Sequence, residues 1–483
     1  MKRHLYFLFP LLLIFGMFFR TIETKNLIVS DAMVKLIQAK SIIHFQVLEP
    51  EFFYLAKSID PKYQWNPYFH WLNEVKGNVR APFPTALNLI TAILLVIFDN
   101  PNVTYYTSVI FATFTFYLCY RKFGLKYYFA LLLCTSVVLH SLLFLDVSIC
   151  LFLIVLGMNR FFETDKPLST IESILYALLL VIVFSIRPEY FTFFSLAFLI
   201  WILLHKTEDW RFIKENQIFL TFSLLFLLVF FLYNYHHFGH PLGMRYLSNR
   251  VGILNQIDDR LSIISSLLFF NKVRLGFFGF MPIFLIVFIL CLLSWKHLPK
   301  KEKFYFYLIL IFFIILAFLS PNDSWIDWGT RYLTPAIFPF LSLYFYFERN
   351  TQKKGLKIAL NVILILTLFL NLLLFKLLSS NVKSNKKYVD FVSSSTSELN
   401  VIRDELIIAY TGDLYFKKAV ILSKNTADEI EIGKKINESK IQTVSIYSFL
   451  PREKQNITNS CYEKFAETTY ELVRKEEFAF KCQ

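Results

Sequence analysis

Glycine is sparse in this chain, 13 of 483 residues, and no Ser/Gly-rich or Pro-rich linker and no internal repeat interrupts it. That excludes a string of modules on flexible tethers. A glycine-rich phosphate loop is missing, so a nucleotide-binding domain built on one is not expected. Cysteine is scarce: of six, Cys119, Cys134, Cys150 and Cys291 lie in or at the ends of apolar runs, where a thiol acts as a small hydrophobe. Only Cys461 and Cys482 stand in a polar segment. Charged residues make up just 18% of the chain, with a net charge of +14. From Asn381 to Gln483, however, 16 Lys/Arg face 15 Asp/Glu, so the excess sits in the apolar part. There it reports membrane orientation, and no nucleic-acid partner is expected.

What is abundant is apolar and aromatic: 56% hydrophobic residues, 56 Phe, 26 Tyr and a mean hydropathy of +0.50. This composition predicts an all-α polytopic membrane protein. Eleven apolar stretches are long enough to count as spans, from Leu5–Phe19 through Tyr128–Leu145, Val147–Phe162 and Gln217–Tyr233 to Leu356–Phe375. No small-residue cleavage site follows the first, which reads as a retained anchor. Ala86–Phe98 is shorter than the roughly 20 residues needed to cross hydrocarbon and is expected to be re-entrant or to lie at the interface. With Met1 inside and that segment not crossing, the N-terminus and five loops hold 18 Lys/Arg on one side, against 15 in the far longer loops opposite. The positive-inside rule therefore puts the N-terminus in the cytoplasm. Loop 20–102, the Arg187-Pro-Glu189 corner, Asn234–Leu275, Ser320–Arg331 and the tail fall outside. Outside, Cys461 and Cys482 can pair or remain as two free thiols.

Two domains are expected: a membrane domain over 1–379, which includes the first loop, and an extracytoplasmic α/β domain over 380–483. In the latter, Asn400–Arg403, Lys418–Leu422 and Thr443–Tyr447 read as strands and Thr426–Glu438 as an acid-led helix. The first loop is crowded with Phe52, Phe53, Tyr54, Tyr63, Trp65, Tyr68 and Trp71, interleaved with Asp60, His70, Glu74 and Arg80, as in segments that lie at a membrane interface.

Several residues invite chemistry. Asp31 opens an amphipathic stretch, Ser30–Ile43, soon after the first span; it suits an N-cap, as Ser30 does equally, or a general base. Asp146 sits where two spans meet, either as a functional acid or as a hydrated turn residue. Arg187 and Glu189 flank a proline at a corner so tight that both side chains stay at membrane depth; they either pair with each other or offer Arg187 to phosphate. His236, His237 and His240, followed by Tyr246, concentrate hydrogen-bonding rings in Asn234–Tyr246 without the acid spacing of a metal site. Arg331 begins a span, as a snorkelling or a phosphate-binding residue. Asp258-Asp259 reads as a solvated pair.

These residues together resemble the polytopic glycosyltransferases of the GT-C fold, the group that includes protein O-mannosyltransferases and lipid A aminoarabinose transferases. The resemblance rests on Asp31, Pro82-Phe-Pro84, Asp146, His237-Phe-Gly-His-Pro241 and Trp328–Pro335 in that order, and it covers the membrane part but not the tail. It implies inverting sugar transfer from a polyprenyl-phosphate donor to a glycan, lipid or protein acceptor at the outer face of a multi-pass protein, such as one of a bacterial inner membrane. Asp31 would be the base. Arg187, Arg331, Asp146, Glu189, His237 and Tyr246 would bind the donor, and the aromatic loop would cover the cavity. No cofactor is implied; a divalent metal is the open alternative, and Ala32, standing where many members carry a second acid, speaks against it. Many members also have Lys where Arg187 stands. The rivals are a flippase or other transporter of lipid-linked sugars and a membrane scaffold whose tail binds a partner; neither needs a base.

Overall fold

The computed structural model describes residues 2–21, 31–143, 145–162, 168–204, 214, 216–247, 260–271, 274–320, 330–450 and 462–481. It forms two compact units: Met1–Gly16 with Pro84–Leu87 and Val103–Leu377, and Met17–Phe83 with Asn88–Asn102 and Leu378–Gln483. The helices of the first part of the chain are α1 (Lys2–Thr21), α2 (Asp31–Phe45), α3 (Thr85–Phe98), α4 (Val103–Phe123), α5 (Leu125–Leu133), α6 (Val137–Leu143), α7 (Leu145–Phe162), α8 (Thr170–Ile186) and α9 (Pro188–Leu204). They continue as α10 (Gln217–Phe238), α11 (Arg260–Leu268), α12 (Phe277–Phe280), α13 (Pro282–Ser294), α14 (Lys300–Leu319), α15 (Ile337–Asn350), α16 (Lys354–Ser393), α17 (Leu414–Lys417) and α18 (Thr426–Glu438).

Among the described residues, α7, α10, α14 and α16 are each long and apolar enough to cross a membrane. Apolar Thr170–Ile186, Pro188–Leu204 and Pro282–His297 are somewhat shorter. The chain is thus a mostly helical, multi-pass membrane protein. Several expected spans are broken. Tyr128–Leu145 is divided between α5 and α6, because Thr135 Oγ1 donates to the Leu131 carbonyl at 2.6 Å and accepts from Val137 N–H at 3.3 Å. A side chain that takes over backbone partners lets a helix end inside an apolar bundle without stranded polar groups. Helix α8 starts on a capping box, Ser169 with Glu172. It stops at Ile186, because Pro188 drives Arg187 into an extended conformation and then serves as the first residue of α9. Gln217–Tyr233 runs on to Phe238, where Gly239 takes the left-handed conformation that closes the helix.

The second unit holds a five-stranded sheet of β5 (Leu399–Ile402), β6 (Ala419–Leu422), β7 (Thr443–Phe449), β8 (Tyr462–Tyr470) and β9 (Val473–Phe480), in the order β6-β5-β7-β9-β8. The three expected strands are parallel, and α18 spans the predicted Thr426–Glu438. The β8–β9 hairpin was not anticipated. Its strands are too charged to read as sheet, yet the charges compensate one another, with Lys464 on Glu476 at 2.7 Å and Lys475 on Glu477 at 2.8 Å.

Most of the first loop groups with the tail in the second unit. Between α2 and α3 its regular structure among the described residues amounts to β1 (Asn73–Val75), β2 (Asn78–Arg80) and one 3-10 turn, so that stretch is held largely by side chains. Asp60 is central: its carboxylate accepts from Gln64 N at 2.9 Å, Trp65 N at 2.8 Å and Tyr54 Oη at 3.0 Å. Burial pushes its pKa above the usual carboxylate value, with these donors pulling the other way. Phe52, Phe53, Tyr54, Tyr63, Trp65 and Tyr68 are all buried. Rings packed in this way are core, which corrects the expectation that they lie at an interface.

In the helical unit, a Cβ at Gly276 would meet the Ser266 carbonyl at 2.5 Å and the Phe269 nitrogen at 2.7 Å, both backbone atoms that cannot swing away. Gly276→Ala is therefore expected to destabilise the protein by about 3 kcal/mol. Gly355→Ala, which enters open space on a helix, should change stability by less than about 1 kcal/mol. Thermal unfolding of the purified protein in detergent reads both, and equal melting temperatures for the two variants would refute the packing argument.

Candidate functional site

The polar end of the helical unit is assembled at a corner. The α8–Pro188–α9 junction sets Arg187 and Glu189 two residues apart with the backbone turning between them, and the first turn of α7 brings Asp146 from elsewhere in the chain. Arg187 Nη2 meets Asp146 Oδ2 at 2.6 Å, and Nη1 meets Glu189 Oε1 at 2.8 Å. The guanidinium is 1% exposed, so this is a desolvated cation shared by two carboxylates. Arg187 Nε has no hydrogen-bond partner among the described residues. Arg245 joins from beyond α10: its Nη1 donates to the Ile186 carbonyl at 2.7 Å, which satisfies an orphan acceptor at the end of α8. It lies close enough to Glu189 to act on its charge. Two acids and two arginines, Arg245 half-buried and the others buried more deeply, thus balance in one corner.

Next to it is the 3-10 turn Arg331–Ala336, in which Arg331 is largely buried. The Arg331 carbonyl accepts from Tyr190 Oη at 3.4 Å and from Thr334 Oγ1 at 2.9 Å. A hydroxyl has one proton, so Thr334, having given it to that carbonyl, must accept at its 2.9 Å contact with His140 Nδ1. That fixes a proton on Nδ1 of a fully buried histidine. Asp146, Arg187, Glu189 and Arg331 are thereby brought into one connected set through Tyr190, which follows Glu189 directly. His140, Tyr190, Arg245 and Thr334 were missed from the sequence. A histidine inside an apolar span was the available signal, because such residues rarely face lipid.

The other expected residues have surroundings of their own. His237 lies in the last turn of α10, edge-on to His236 and 4.5 Å from Tyr233 between ring centroids. Tyr246 stacks on His240 at 4.4 Å. Asp31 is the first residue of α2, half-buried, in the second unit. Ser30, Asp258, Asp259, Trp325, Trp328, Cys461 and Cys482 lie outside the described residues. Among the described residues no three His, Cys, Asp or Glu side chains group as a metal site would need. An apolar crevice between Phe123, Met158, Phe162, Tyr305 and Phe338 is lined by none of the expected site residues.

No family model and no curated protein matches the chain. A crystal structure of ArnT from Cupriavidus metallidurans bound to undecaprenyl phosphate is similar over 92% of this chain and 92% of that one, at 9% identity and a TM-score of 0.46. That degree of likeness establishes neither a shared family nor a shared activity.

Arg187→Gln leaves two carboxylates in an apolar bundle without their cation, at an expected cost of about 3–5 kcal/mol. Neutralising all three groups, by Asp146→Asn, Arg187→Gln and Glu189→Gln together, should restore most of the loss. Melting temperatures in detergent test the pair of variants; a single variant as stable as the wild type would mean that the cluster does not carry this load.

Proposed function

We propose that this chain is an inverting membrane glycosyltransferase that moves a sugar from a polyprenyl-phosphate-linked donor to a hydroxyl or amine of a glycan, lipid or protein at the outer face of a bacterial inner membrane. The observation that carries this reading is the buried Asp146–Arg187–Glu189 cluster joined through Tyr190 to Arg331. Ionised groups at such depth are costly in an apolar bundle, and the chain concentrates them where helix ends meet. The order of motifs from Asp31 to Trp328–Pro335 supports the same class of reaction.

In this mechanism the acceptor oxygen or nitrogen attacks the anomeric carbon while Asp31 removes its proton. The bond from that carbon to the phosphate oxygen breaks, and its electron pair leaves with the phosphate. Negative charge then grows on the leaving group, and Arg331 stabilises it. Arg187 contributes through Nε, the edge that Asp146 and Glu189 leave unused. The two acids hold the guanidinium in place. His237 and Tyr246 donate hydrogen bonds to the donor. The reaction needs a base, an oriented acceptor and a stabilised phosphate, so it runs without a cofactor.

The test is transfer of labelled sugar from polyprenyl-phosphate sugars by the full chain in lipid vesicles. Asp31→Asn is expected to lower kcat by roughly 10² to 10⁴. Transfer at the wild-type rate by that variant would remove Asp31 from the mechanism, and movement of the lipid-linked sugar across the bilayer with no transfer would favour a flippase.

A further inference from the structure

Helix α2 carries Asp31 but does not hold itself in place. Fifteen residues make a marginal helix in isolation, and this one is anchored by burying Met33, Val34, Leu36 and Ile37. The loop that packs on it has almost no backbone ladder of its own. The tail supplies the missing partners, and they converge on Tyr415 of the four-residue helix α17.

The Tyr415 hydroxyl accepts from Asn66 Nδ2 at 3.1 Å and donates to the Phe53 carbonyl at 3.3 Å, with the ring edge-on to Tyr68 at 5.3 Å. The nitrogen of the same Phe53 donates to Ser41 Oγ on α2 at 2.8 Å, and that hydroxyl in turn donates to the Ile37 carbonyl. Two hydrogen bonds through one residue therefore connect the tail to the helix of Asp31. Lys40 of α2 adds a second tie, its ammonium 4.9 Å from the centroid of Phe416 and 5.6 Å from that of Phe53. A third lies at the sheet edge, where Leu422 N–H of β6 donates to the Trp65 carbonyl at 2.7 Å and Lys424 Nζ to the Gln64 carbonyl at 3.1 Å. Tyr415 is buried, so its hydroxyl would be stranded if the loop moved away.

We propose that the C-terminal domain is the positioning element for the Asp31 helix, with Tyr415 as its positioning residue. The tail is then neither a separable module nor a docking arm. The functional consequence rests on the reading of Asp31 as the base; the mechanical claim does not.

The experiment uses the full chain with Tyr415→Phe, which keeps the ring and removes both hydrogen bonds of the hydroxyl. Lys435→Ala, an exposed change on α18, is the control. Hydrogen exchange of the α2 amides should quicken about tenfold in Tyr415→Phe and not in the control, while exchange in α7 stays unchanged in both. In the transfer assay kcat should fall roughly 10-fold to 100-fold, with KM for the polyprenyl-phosphate sugar nearly unmoved, because a displaced base costs rate more than donor binding. Exchange in α2 equal to wild type overturns the proposal whatever the activity. Faster exchange in α2 with unchanged kcat upholds the coupling of tail to α2 and removes Asp31 as the base. If Tyr415→Phe does not accumulate, Asn66→Asp, which takes away the amide donor and leaves the tyrosine, makes the same comparison.

Discussion

Arg187 is the side chain on which the polar end of the helical unit depends. Its charge is what allows Asp146 and Glu189 to be ionised in surroundings of phenylalanine and leucine. An unpaired carboxylate there would carry a desolvation penalty of several kcal/mol. Its backbone matters as much: the following proline bends it out of helical conformation, so one residue ends α8, starts the turn into α9 and bridges two acids. The arrangement leaves little freedom, because each partner lies on a different helix end.

That corner also fixes what lies beside it. Tyr190 follows Glu189 on α9 and reaches the Arg331 carbonyl, which Thr334 caps from its own turn and His140 backs from α6. The carbonyl then has both lone pairs used, and the short 3-10 turn is pinned at its first residue. In an apolar medium each of these bonds is costly to break, so the turn is stiffer than its length suggests.

The second unit solves a different problem. Among its described residues, the loop of more than sixty residues between α1 and α3 has one helix, one 3-10 turn and two three-residue strands, too little to persist alone. It acquires a core by folding onto the tail's small sheet, covering the end of edge strand β6 and surrounding Tyr415 with Tyr54, Tyr68 and Asn66. Segments more than three hundred residues apart in sequence are thus one folding unit. The loop's aromatic residues, which read from composition as interfacial, are its core.

The sequence alone determined the class of protein and much of its local structure. Apolar runs force a membrane assignment, since no soluble fold could bury them. Period and capping residues place α2, α7 and α18, and the Arg-Pro-Glu step marks a corner. The same residues named Asp146, Arg187, Glu189 and Arg331 as a group, because charge in an apolar setting is conspicuous in one dimension. Partnership was decided only by tertiary structure. Whether Arg187 pairs with its neighbour Glu189 or also with Asp146, forty-one residues earlier, depends on helix packing, which leaves no local mark. The charged β8–β9 hairpin, the histidine behind Thr334 and the joining of first loop to tail were hidden for the same reason: their stabilising contacts come from residues distant in sequence, and periodicity reports only what a residue's near neighbours demand.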